Sequence, residues 1–386
     1  MTLSEIINHL GEDRERYFNA VSPPVIQSSN FLFPSVKAMR QALGDEFHYH
    51  VYTRGNNPTV EILRKKLAAL EGSEDALVTS SGAAAISCAV IANLHKGDHV
   101  VCVRKPYTWT NILLNQLLVR FGIEVTMVDG RDPENFRNAV RPNTRLFYLE
   151  SPNSILFELQ DLRAIAGIAR HQEIITVIDN TYGTPLYQKP LDYGIDIVVH
   201  TGTKYLAGHS DVVSGVICSN RDMIRKIFNT ELMTLGNVIS PYDAWLMIRG
   251  LRTFPLRLRQ SSESAWKIIS FLDHHPKIEK MFYPFLPEND QYELAKRQMS
   301  GCSGMFSLLL KAESFQQIEK FCESLKLFLM AVSWGGFESL IFPAIAMFDQ
   351  GSAAESDVPW NLVRLYIGLE DADDLIADLS NALNLI

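Results

Sequence analysis

The chain has 386 residues, 47% of them hydrophobic and 21% charged, which suits one large and one smaller globular domain. With 36 Lys and Arg against 44 Asp and Glu, the formal net charge of −8 argues against a general binder of nucleic acid or anionic membrane. The five cysteines (Cys88, Cys102, Cys218, Cys302 and Cys322) are scattered, form no CxxC pair and point to a reducing, cytoplasmic setting.

The opening stretch "MTLSEIINHLGEDRER" has no basic segment followed by an apolar core, so no signal peptide is expected. Residues 1–50 are irregular and aromatic-rich and read as an N-terminal arm. A helix follows over "PTVEILRKKLAALEG" (58–72), started by Pro58 and Thr59 and stopped by Gly72. Residues 76–94 carry no charge for 19 positions, about the length of a membrane span. "TSSG" cuts that stretch, so it reads as a buried strand, a turn and a short helix.

Seven strands are expected: "DALVT" (75–79), "HVVCV" (99–103), "EVTMV" (124–128), "RLFYL" (145–149), "IITVI" (174–178), "DIVVH" (196–200) and "VSGVIC" (213–218). Most lack polar alternation, as strands covered on both faces do. Helical stretches such as "DLRAIAGIARH" (161–171) separate them, which indicates a largely parallel, helix-covered sheet in a large domain over 51–240. A long connecting helix (241–270) then leads into a smaller α/β domain that ends the chain, with 241–386 read as one unit. That domain contains "SGMFSLLL" (303–310), "FQQIEKFCESLK" (315–326), "LVRLYIG" (362–368) and "DDLIADLSNALNLI" (373–386).

Open parallel sheets bind ligands at the carboxyl ends of their strands, and four such ends here carry polar residues. Ser80, Ser81 and Gly82 open a helix whose free amides and dipole could hold a phosphate. Glu150 begins "ESPNS", a turn with a carboxylate and an amide. Asp179 directly follows an apolar run and is expensive to bury unless something positive meets it. It could be a metal ligand, a base, the partner of a protonated ring nitrogen, or a plain turn residue. Lys204, in "HTGTKYLAGHSD" (200–211), is either a solvated loop lysine or an amine kept dry enough to bond a carbonyl. His209 and Asp211 gain no role beyond structure. His48/His50 and His274/His275 lack ligand spacing, and no metal site is expected. A lysine amine with an aspartate for a pyridinium nitrogen is what a protein supplies to pyridoxal phosphate (PLP).

With these residues in view, the chain resembles the Cys/Met-metabolism family of PLP enzymes, which includes cystathionine γ-synthases, γ- and β-lyases and methionine γ-lyases. The resemblance is carried by "YTRGNNPT", "SSGAAA", "ESPNS", "VIDNTYG", "TGTKYLAGHSD", "SWGGFESL" and "RLYIGLE". It implies the aspartate aminotransferase-like fold type I, with a large, mostly parallel sheet domain and a smaller C-terminal α/β domain. It also implies the following roles. Lys204 bonds covalently to PLP and then shuttles protons, and Asp179 holds the ring nitrogen. Tyr107 stacks on the ring and assists catalysis. Ser81, Gly82, Ala83, Thr201 and Thr203 hold the phosphate, joined by Tyr52 and Arg54 from a neighbouring subunit. Arg364 grips the substrate α-carboxylate, with Asn153, Ser333 and Trp334 beside the cofactor and substrate. The partners implied are a sulfur amino acid and further copies of the chain, as a tetramer of dimers that share active sites.

Within the family, "ESPNSI", "GAAA", "SWGGFESL" and "RLYIGLEDADDLIADL" look most like bacterial cystathionine β-lyases. The expected reaction is therefore β-elimination of L-cystathionine to homocysteine, pyruvate and ammonia, in transsulfuration and methionine biosynthesis. "YTRGNNPT" is closer to the γ-lyases and γ-synthases, and these stay open as the alternative. Trp109 stands where methionine γ-lyases place a reactive cysteine. The distal pocket is expected from Tyr107–Thr110, Phe337 and residues 343–356. A non-catalytic relative that keeps the fold is opposed by the intact Lys204, Asp179 and Arg364.

Overall fold

The computed structural model describes residues 1–348 and 358–386, so residues 349–356 of the expected pocket loop lie outside them. All seven expected strands form, with ends displaced by at most two residues: β1 (Asp75–Thr79), β2 (His99–Val103), β3 (Glu124–Val128), β4 (Thr144–Glu150), β5 (Ile175–Asp179), β6 (Ile197–Thr201) and β7 (Gly215–Ser219). They lie in the order β1-β7-β6-β5-β4-β2-β3. β2, β3, β4, β5 and β6 run parallel. β7 corrects the parallel expectation for its own position, because it is antiparallel to both β1 and β6. Parallel neighbours need a crossover, usually helical. Residues 202–214 between β6 and β7 contain only turns, so the chain folds straight back. That return carries Lys204.

The uncharged stretch 76–94 divides as expected into β1 and the helix Gly82–Ile91. Among the described residues no helix is long and apolar enough to cross a membrane. The helix Pro58–Glu71 starts with Asn57, whose side chain accepts from the Thr59 amide, and ends at Gly72 with φ +85°. That left-handed cap favours glycine, which has no Cβ to clash.

The connecting helix, Pro241–Leu272, is capped by Ser240 and opened by Pro241. Arg257 on this helix is buried and donates to the carbonyl oxygens of Tyr205 (3.0 Å) and Gly250 (2.8 Å). The helix thereby grips the backbone immediately after Lys204. Beyond it, β8 (Ile278–Phe282), β9 (Met305–Leu310), β10 (Leu329–Met330), β11 (Leu340–Pro343) and β12 (Leu362–Tyr366) form a second sheet, ordered β10-β11-β12-β9-β8. Two helices from the tail, Phe315–Ser324 and Ala372–Leu383, form as expected and pack together. One hydrophobic core runs through both regions, from Leu63 and Val78 to Phe306 and Leu379. Ile6, Ile7 and Phe47 of the N-terminal arm join it.

Candidate active site

β1 is antiparallel to β7, which is antiparallel to β6, so the carboxyl ends of β1, β4, β5 and β6 share one edge. The β1 end opens the helix Gly82–Ile91. Ser81 is its N-cap, and its hydroxyl accepts from the Ala84 amide at 3.1 Å. Ser81 thus already has a helix to cap, and the Gly82 and Ala83 amides remain as first-turn donors. A Cβ on Gly82 would fall 2.0 Å from Thr201 Oγ1, and one on Gly215 would fall 2.1 Å from the Ser81 carbonyl oxygen. Glycine at both places lets the helix start press against the end of β6, so amides and the Thr201 hydroxyl converge. Thr203 is partly engaged elsewhere: its Oγ1 accepts from the Ser214 amide at 2.9 Å and donates to the Ser214 carbonyl. Ser214 Oγ is buried with no hydrogen-bond partner among the described residues.

Asp179 ends β5 and is buried. Its Oδ1 accepts from the Thr181 amide at 2.9 Å and from the Thr181 hydroxyl. Thr181 Oγ1 in turn accepts from the Thr201 amide at 2.8 Å, which ties the carboxylate to the end of β6. Burial raises the Asp179 acid, and the Thr181 hydrogen bonds oppose this. Thr181 was not expected in the site, although a Thr two residues after an Asp is a familiar local acceptor pattern. Glu150, expected only as part of a turn, ends β4 in direct register with Asp179. Burial, then the Asp179 charge, pushes its acid up to about 8.

Lys204 donates through Nζ to the Ser333 hydroxyl, and the amine lies 5.6 Å from the Trp334 ring centroid. Burial, then the Arg364 charge, lowers its amine to about 8, while Asp179 pulls the other way. The loop that supplies Ser333 and Trp334 is tightly fitted. Ser333 sits at φ +81°, and Gly335, at φ +88°, has the Lys204–Tyr205 backbone within 3.0 Å of where a Cβ would stand. Arg364, from β12, donates to the carbonyl oxygens of Ser154 (3.0 Å) and Ser333 (3.2 Å). Burial lowers its guanidinium to about 10. These two bonds leave the rest of its donor fork for an anion.

Tyr107 precedes the short helix Thr108–Ile112; the residue is 39% exposed, and its amide donates to Glu150 at 2.6 Å. Burial raises its phenol, and Asp179 and Glu150 add to the effect. Asn153 is occupied by its own turn: Oδ1 accepts from the amides of Ile155, Leu156 and Phe157, and Nδ2 donates to Glu158 at 3.2 Å. Tyr52 and Arg54 stand apart. The Arg54 guanidinium lies 5.4 Å from the centroid of the exposed Tyr52 ring, and among the described residues neither bonds to Lys204, Asp179 or Arg364. No group of three or more His, Cys, Asp or Glu among the described residues could hold a metal ion.

The arrangement fits PLP. The amides of Gly82 and Ala83 with Thr201 could take a phosphate, the buried Asp179 a protonated ring nitrogen, and Lys204 an aldehyde carbon. The ends of β1, β5 and β6 on one edge meet these requirements, with β6 serving two of them through Thr201 and Lys204.

The comparisons agree. The chain is 38% identical over 384 residues to the L-methionine gamma-lyase of Treponema denticola, covering 97% of this chain and 95% of that protein. It is 36% identical to the cystathionine gamma-lyase of Bos taurus, over 97% and 92% of the two chains. The crystal structure of metB from Corynebacterium glutamicum superposes with a TM-score of 0.92 at 35% identity, covering 100% and 98% of the chains. The fold is therefore fold type I, with the large mixed sheet and smaller second sheet described above. Residues 5–384 match the family described as Cys/Met metabolism PLP-dependent enzyme, and the chain belongs to that family.

Proposed function

We propose that the protein is a carbon–sulfur lyase that releases a thiol from a sulfur amino acid, with L-cystathionine as substrate and its Cβ–S bond as the bond cut. The observation that carries the lyase reading is Lys204, a half-buried amine held by Ser333 and lowered to about 8, with Arg364 and Asp179 acting on it. Bound PLP supplies an electron sink for negative charge developing at the substrate Cα. Arg364 grips the α-carboxylate through its free donors and so turns Cα toward Lys204. Lys204 removes the Cα proton, and the Ser333 hydroxyl holds the amine in place for that transfer. Tyr107 or Lys204 delivers a proton to the departing sulfur. Gly82, Ala83, Ser81, Thr201 and Thr203 line the phosphate end, with Asp179 at the ring nitrogen and Asn153 near the cofactor O3′ and the substrate carboxylate.

The Cβ–S assignment rests on the "SWGG" loop, whose Trp334 packs beside Lys204. A second reading, Cγ–S cleavage, is favoured by the relatives, which are named L-methionine gamma-lyase and cystathionine gamma-lyase. One product assay on cystathionine separates them. Pyruvate supports the first reading and 2-oxobutyrate the second, whereas cystathionine formed from an acylated homoserine supports a γ-synthase. The lyase reading itself fails if reconstituted protein shows no lysine-linked cofactor band that borohydride removes.

We propose further that copies of the chain assemble: Phe18 and Leu32 of the arm are almost fully exposed, and Tyr52 just beyond it is 44% exposed, which supports burial against further copies. In such a dimer Tyr52 and Arg54 would reach a neighbour's phosphate end, and a tetramer would pair two dimers. The five cysteines are all free and buried, which supports a reducing cytoplasmic setting.

A further inference from the structure

Glu150 presents a question that the functions above leave open. It is 5% exposed, and it stands in register beside Asp179, itself 7% exposed. Two carboxylates side by side in a dry place repel, so one is driven to hold a proton. Asp179 is the better anion of the two, because Lys204 and His200 act on it alongside its two hydrogen bonds from Thr181, whereas no cation is among the groups that act on Glu150. The groups facing Glu150 are Asp179 from β5, the Tyr107 amide and phenol from the loop after β2, Ser154 from the turn after β4, Tyr148 on its own strand and Cys102 on β2. None is a cation. Lys105, two residues before Tyr107, pairs instead with Glu158 at 3.5 Å. A glutamine here would accept the Tyr107 amide equally well without the repulsion. The acid therefore has a use for its proton.

We propose that Glu150 is a positioning residue that links the charge state at Asp179 to the hold on Tyr107, through its hydrogen bond from the Tyr107 amide. This rests on the PLP reading of the site. Before a ring nitrogen is seated, with Lys204 and His200 as the positive groups acting on Asp179, Glu150 stays protonated and accepts from the Tyr107 amide as a neutral acid. When Asp179 is matched by a protonated ring nitrogen, the repulsion on Glu150 falls and it releases its proton to solvent. Its bond to the Tyr107 amide then becomes charge-assisted, shorter and roughly twice as strong. Tyr107 is thereby held firmly only once the cofactor is seated.

The test uses cofactor-free protein and 4-deoxypyridoxine 5′-phosphate, which carries the ring nitrogen and phosphate but no aldehyde. Calorimetry in buffers of different ionisation enthalpy counts the protons released on binding. Between pH 6 and 8, wild type should release up to one proton more than Glu150→Gln, and the probe's own titration cancels in that difference. Equal proton counts overturn the proposal. The infrared difference spectrum of wild type with and without the probe needs no variant. It should show loss of a protonated-carboxyl band, and the absence of that loss also overturns the proposal. If the probe does not bind wild type at all, the PLP reading fails instead.

Discussion

The seven-stranded sheet and the five-stranded sheet contribute to the site in different ways. The large sheet places its reactive groups just beyond strand ends: Gly82 after β1, Asp179 closing β5 and Lys204 after β6. The small sheet supplies Arg364 from the middle of β12 and the Ser333–Trp334 loop ahead of β11. Parallel strands buried on both faces can offer chemistry only where they stop, whereas the small, mostly antiparallel sheet offers Arg364 from within β12. On the proposed reading, the large sheet would carry the chemistry and cofactor, and the small one would grip the substrate's carboxylate and hold Lys204 through Ser333. Substitutions on the two sides should fail differently.

The largest effect is expected from Lys204→Ala. Turnover at saturating cofactor should fall by at least about 10²–10⁴-fold, the usual contribution of a placed proton-transfer group. A stopped assay with purified variant checks this, and near-normal turnover would contradict the assignment. The wild-type amine adds a pH signature. Its folded value of about 8 lies below the ordinary lysine value, so folding disfavours the charged form. In cofactor-free protein, the rate of covalent PLP uptake should climb about tenfold per pH unit below that point and level off above it. A flat profile over pH 6–9 would break the link to Lys204.

Gly82→Ala comes next. Its methyl group would meet Thr201 Oγ1, and the overpacking, about 1–3 kcal/mol, should weaken cofactor binding about 10–100-fold. Equilibrium titration with PLP measures it. On the small-sheet side, Arg364→Lys should raise KM about 10-fold with a smaller change in kcat, because a point charge cannot reproduce the planar fork. Loss of kcat at unchanged KM would place Arg364 with the chemistry and erase the contrast between the sheets. The smallest effect belongs to Thr201→Ser, which keeps the hydroxyl beside Gly82. Cofactor affinity should stay within about 3-fold, since the change keeps the hydroxyl and removes one methyl group from a half-buried side chain, worth about 0.8 kcal/mol at most.

Much of the large sheet was legible because fully buried strands are continuous apolar runs bounded by turn residues. "HVVCV" and "EVTMV" need no context to be read as strands. The small sheet was less so. β8, "IEKMF", has a mixed face, β10 is two residues long, and β11 ends at Pro343. The direction of β7 was also hidden, since an apolar run has no polarity. Among site residues, Asp179 and Lys204 stood out as charges set after apolar runs, whereas Arg364 was marked only by the family resemblance. Ser81, Thr203 and Asn153 were singled out by type, yet the structure gives all or part of their hydrogen-bonding capacity to a helix cap, a return loop and a turn.

The sequence alone determined the alternation of strands and helices, the two regions joined by a long helix, and the motifs that mark the family. These depend on periodicity and on local residue order, which no neighbour can alter. Tertiary structure alone decided which polar groups meet. Ser333 reaches Lys204 across 129 positions of chain, and Glu150 falls beside Asp179 because β4 and β5 pair in one register. Those meetings set burial and charge proximity, and burial is what shifts an amine or a carboxylic acid away from its ordinary behaviour.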